Sequence, residues 1–144
     1  METNLSVGIG RFDRGNHDTA LSISEWNRLL WLADGDELIF VPSGAVFEKG
    51  KFDSAGWVLK FNQLFAMDYL ERYPDAHNHA LVTNTSSNHV SLPLTDALRG
   101  EMNDLAVLLH YAQEKGQSEL YLQAYADLIF LNANHIYTKQ NGAV

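Results

Sequence analysis

The sequence predicts an α+β fold: an antiparallel sheet with helices packed on it, the two C-terminal helices forming a hairpin. Three observations carry this. Strand-like segments punctuated by turn formers recur between Leu5 and Leu92, three of them between Leu38 and Phe61 read as an antiparallel meander, and apolar residues at helical spacing fill the last third of the chain. The 144 residues suit one domain, spanning 1–144, and no linker, internal repeat or low-complexity run divides them.

Leu5, Val7 and Ile9 alternate with Ser6, Gly8 and Gly10, the period of a half-buried strand reaching Phe12. A polar loop follows, Asp13-Arg14-Gly15-Asn16-His17-Asp18. Ser22 and Glu25 have capping-box spacing, Leu21 and Trp26 are placed for a hydrophobic staple, and Trp26, Leu29, Leu30 and Ala33 recur at helical intervals. These signals predict a helix ending at Asp34-Gly35.

Strands are expected at Leu38–Val41, Ala45–Glu48 and Trp57–Phe61, joined by Pro42-Ser43-Gly44 and Ser54-Ala55-Gly56 into an antiparallel meander. A second helix starts near Asn62 and must stop near Tyr73, because Pro74 disfavours helical geometry in the residue before it. Ala80–Thr83 and His89–Leu92 read as a hairpin around the turn formers 84–88. Thr95 or Asp96 caps a third helix with Leu98, Met102, Leu105, Leu109 and Ala112 on one face, closed by Lys115-Gly116. A fourth helix starts at a Ser118 cap. Leu122, Ala126, Ile129, Ala133 and Ile136 form one stripe, Tyr121, Tyr125 and Leu128 the next, and Leu120, Ala124 and Leu131 lie further round.

A helix apolar over most of its circumference must be covered on several sides. It is either a central core helix or a subunit interface, and the interface reading assigns Leu122, Tyr125, Ile129 and Ile136 to a dimer contact. Trp57, Phe61, Phe65 and Tyr69 concentrate aromatic area where strand meets helix. They are expected to contribute to partner binding, since aromatics serve cores and binding hot spots alike.

The chemistry-bearing motifs are few. With no cysteine, the chain has no disulfide, thiolate nucleophile or cysteine-ligated metal. Gly8-Ile9-Gly10 is followed by Asp13 where a dinucleotide fingerprint needs glycine, and there is no GxxxxGK[ST], GxSxG or HExxH. His77, His79 and His89 are the nearest approach to a metal set. A hairpin would hold His79 and His89 on the order of 15 Å apart, too far for one ion, so no metal and no cofactor is expected. His17 with Asp13 or Asp18 has the residue types of a carboxylate-oriented base, which keeps a small enzyme among the alternatives. A net charge of −8, with ten scattered Lys and Arg residues, opposes nucleic-acid binding. No membrane span or leader is expected and the localisation expected is cytoplasmic.

The order helix, three strands, helix, two strands, helix from about Ser22 to Glu114 resembles the class I type III secretion chaperones. So does the layout of Phe61–Pro74, ending Glu71-Arg72-Tyr73-Pro74, then Ala80-Leu81-Val82 and Val90-Ser91-Leu92-Pro93-Leu94. The resemblance implies a cytoplasmic, acidic homodimer that holds a secreted client along apolar patches without cofactor or catalysis. The function expected is therefore a non-catalytic protein-binding module. The alternatives are a small inhibitor or immunity-type protein, anti-defence or antitoxin-like, that blocks a macromolecular target, and a small enzyme built on the 13–18 loop.

Overall fold

The computed structural model describes residues 7–12, 26–44, 55–73 and 90–140. In chain order they form β1 (Val7–Phe12), β2 (Asn27–Leu32), β3 (Glu37–Val41), β4 (Gly56–Phe61), α1 (Gln63–Arg72), β5 (Val90–Pro93), α2 (Asp96–Glu114) and α3 (Glu119–Gln140). The strands make one five-stranded sheet ordered β1-β4-β2-β3-β5, with every neighbouring pair antiparallel. This is the α+β architecture expected, closed by two consecutive C-terminal helices.

One expected element is overturned. Residues 27–32 are the middle strand of the sheet, whereas a helix was expected across this segment. Arg28, Leu29, Leu30 and Trp31 are all buried, as in a strand covered on both faces, whose sequence reads as a continuous apolar run. Over so short a run, Leu29, Leu30 and Ala33 also satisfy a helical period, and only the long-range partners β3 and β4 decide between the two. The meander is corrected with it, because β2 lies between β3 and β4. The expected strand 45–48, the first hairpin strand 80–83, the capping box at 22–25 and the loop 13–18 lie outside the described residues.

Register places the core. Ile9, Leu59, Leu29 and Phe40 form one row across four strands, and Trp57, Trp31, Leu38 and Leu92 the next. The helices cover this face with Phe65 and Tyr69 of α1, Met102, Ala106 and Leu109 of α2, and Ala126, Ile129, Phe130 and Ala133 of α3. The opposite face is not bare, since Leu30, Ile39 and Val41 are fully buried there.

Local signals fix the helix ends. The Asn62 side chain accepts a hydrogen bond from Phe65 N at 3.0 Å and caps α1, while Thr95 Oγ1 caps α2 by accepting from Leu98 N. Gly116, at φ +66°, ends α2 in a left-handed turn in which Gln117 N donates to Ala112 O and Gly116 N to Gln113 O.

Side-chain amides then fasten α2 to the sheet. The Gln113 amide accepts from Ile9 N and donates to Ile9 O, both at 2.9 Å, so it pairs with the outer edge of β1 as a strand would. The close approach depends on Gly8, where a Cβ would stand 3.3 Å from Gln113 Oε1. At the other end Asn103 accepts from Trp31 Nε1 at 2.9 Å and donates to Ala33 O at 2.7 Å, and Arg99 donates to Gly35 O.

Candidate functional site: the outer helical faces and the ion pair beneath them

The residues expected to bind a partner turn out to face inward. Trp57, Phe61, Phe65 and Tyr69 are at most 6% exposed. Trp57 and Phe61 share one strand face at period two, and Phe65 and Tyr69 lie one helical turn apart, so all four converge on the same interior. Phe130 of α3 closes the cluster. Its ring stands 4.5 Å from Phe61 edge-to-face, 5.3 Å from Phe65 and 5.6 Å from Tyr69. The expected dimer residues are placed similarly: Leu122, Ile129 and Ile136 are buried within this chain and Tyr125 is half-buried against the core. A stripe of that kind serves the chain's own core first.

Sequence reasoning missed the polar lock behind the aromatics. Asp127, only 3% exposed, accepts from Arg72 Nε at 2.8 Å and Arg72 Nη2 at 2.7 Å, a bidentate pair linking α1 to α3. Tyr73 also donates to Asp127, at 3.3 Å, and the Arg72 guanidinium sits 5.7 Å from the centre of the Phe65 ring. Hydrogen bonding to Asp127 raises the Arg72 pKa against the opposing effect of burial. Burial, reinforced by the Asp127 charge, raises the Tyr73 phenol above its ordinary value. Tyr69 is raised for the same reasons, and its hydroxyl has no hydrogen-bond partner among the described residues. A charged Arg72 and two neutral phenols, the forms these shifts favour further, suit a structural tie.

The accessible surface has a different character. Among the described residues, eight large apolar side chains are between 46% and 74% exposed, and all lie on helices: Leu64 and Met67 on α1, Val107, Leu108 and Tyr111 on α2, and Leu120, Tyr121 and Leu128 on α3. On α3, Tyr121 and Leu128 stand two turns apart with exposed Ala124 between them. From Leu120 to Leu131 the only acid is Asp127, which is buried and held by Arg72, so the outer face of this stretch presents no carboxylate. On a chain of net charge −8 that is a local exception. Single exposed apolar residues are ordinary, whereas large contiguous apolar patches are characteristic of contact surfaces.

His17, Asp13, Asp18, His77, His79 and His89 lie outside the described residues. Among the described residues no three of His, Asp and Glu come together as a metal set, and no helix is long and apolar enough to cross a membrane. Compared with known proteins, the chain matches no family model, no curated protein and no solved structure.

Proposed function

We propose that the chain is a non-catalytic protein-binding module that meets its partner through the outer faces of its helices. One observation carries this reading: the exposed large apolar side chains among the described residues are confined to α1, α2 and α3, on faces that this chain's own sheet does not cover. Burying such side chains against a second protein yields about 25 cal/mol per Å² of apolar area, a gain that is not realised while they face water.

The reading agrees with the chaperone resemblance in kind. Such proteins hold a partner on apolar surface and need no cofactor, and a strongly acidic remainder keeps the unbound protein soluble. The mode of use is therefore a homodimer that holds a client. An inhibitor of one macromolecular target would use the same surface but differ in stoichiometry, and light scattering separates the two.

The test is a pull-down from the native host with the wild-type protein and with a Leu120→Glu, Leu128→Glu double variant. Both positions are exposed, so the variant should keep its melting temperature to within about 2 °C, as surface substitutions do. A discrete protein retained by the wild type and lost by the folded variant supports the reading. Equal retention by both refutes it.

A further inference from the structure

We propose that the recess between the end of β5, the start of α2 and the last turns of α3 binds a carboxylate attached to a compact apolar group. The recess holds about 420 Å³ and is walled by Pro93, Leu98 and Ile136, with Thr95, His135 and Lys139 completing the lining. That volume lies within the range of small-ligand sites, which combine mainly apolar walls with a few polar groups. Here Pro93, Leu98 and Ile136 supply the apolar lining, and two exposed nitrogen-bearing side chains, His135 and Lys139, lie beside it.

The charge arrangement selects the ligand's polar end. His135 and Lys139 are four residues apart on α3, hence on one face and one turn from each other, and both are exposed. Lys139 makes no ion pair among the described residues, although acids outnumber Lys and Arg by eighteen to ten in the chain. The acid in the first turn of α2, Asp96, is engaged by Arg99 at 2.9 Å and does not line the recess. One ammonium beside an apolar pocket suits a monoanion, whereas a phosphate dianion would need several convergent donors. Thr95 Oγ1 already accepts from Leu98 N as the helix cap, but its hydroxyl proton can still donate to a carboxylate.

A lysine in the last turn of a helix also offsets the helix dipole, a role independent of any ligand. Binding measurements separate the two roles. The same chemistry is offered by a free small aliphatic acid and by the carboxyl terminus of a polypeptide ending in an apolar residue. The site is distinct from the outer helical faces, so it stands or falls separately from the protein-binding reading.

The experiment titrates the full chain with octanoate, with octanamide, and with a tetrapeptide ending in leucine, its terminus either free or amidated. Amide chemical shifts are followed by NMR. The expected result is that a free acid shifts Leu98, His135, Ile136 and Lys139, while its amide binds weaker by on the order of tenfold, the value of one charge-assisted hydrogen bond. Lys139→Gln should lower the affinity by a similar factor at unchanged melting temperature, and Lys139→Arg should retain most of it. Tighter binding by the peptide identifies a polypeptide terminus as the source; tighter binding by octanoate identifies a free acid. The proposal is overturned if neither acid shifts these residues at millimolar concentration, if the amides bind as well as the acids, or if Lys139→Gln leaves the affinity unchanged.

Discussion

Replacing Asp127 by asparagine tests whether the polar lock between α1 and α3 stabilises the fold. The substitution keeps the side-chain volume but removes the charge that receives two Arg72 hydrogen bonds of 2.8 and 2.7 Å. Breaking one half of a fully buried pair costs about 3–5 kcal/mol, because the other charge is left without compensation. The Arg72 side chain is 25% exposed against 4% for Asp127, so water can recover part of the guanidinium's solvation, and the expected cost falls to about 2 kcal/mol. For a chain of this size that corresponds to a fall in melting temperature of about 6 °C. Circular dichroism melts of Asp127→Asn, Arg72→Met and the Arg72→Met, Asp127→Leu double variant form the assay. The apolar double variant should be more stable than either single one, since it buries no unpaired charge. Additive losses in the double variant, or a loss below 1 °C in Asp127→Asn, would refute the reasoning.

Tyr69→Phe removes a buried hydroxyl with no partner among the described residues, and should be neutral or stabilising by about 1 kcal/mol in a denaturant melt. The same variant should flatten the alkaline limb of stability. Burial raises the Tyr69 pKa above its ordinary 10.0, so that contribution is fully present below pH 10 and is lost as pH rises above it, where the unfolded chain releases the proton first. Gln113→Ala should cost about 2 kcal/mol by removing both bonds to the β1 edge, and should speed hydrogen exchange at the Ile9 amide specifically. Ile129→Ala should cost about 2–5 kcal/mol whether or not a partner is present, because Ile129 is fully buried in this chain. Light scattering should give a dimer for the wild type; a monomer would remove self-association from the proposal.

Features set by neighbouring residues were the ones legible in the sequence. The helix start near Asn62, the cap at Thr95 or Asp96, the stop before Pro74 and the Gly116 turn each depend on contacts within about five residues, and each stands where the sequence placed it, with Asn62 itself the first cap and Thr95 the second. The segment 27–32 was misread for the converse reason. Its four consecutive buried residues have no period to report, and the partners that make it a strand lie at 37–41 and 56–61. The site followed the same division. The stripe Leu122, Ala126, Ile129, Ala133 and Ile136 was visible as an apolar face, but its cover became clear only with the Phe61 ring edge-to-face with Phe130 and the Phe65 ring tilted against it. Nothing local to Asp127 announces Arg72, 55 residues earlier, as its partner. The outward face was legible only by subtraction, once the inward positions were known.

The contact surface itself can be tested by placing a photoreactive benzophenone side chain at Leu128 on α3 and, as a control, at exposed Asp34 in the turn between β2 and β3. Irradiation in the native host should convert the Leu128 probe into one discrete, heavier adduct containing a second protein chain, and leave the Asp34 probe unchanged. A diffuse ladder at both positions, or no adduct at Leu128, would contradict a partner seated on the helices.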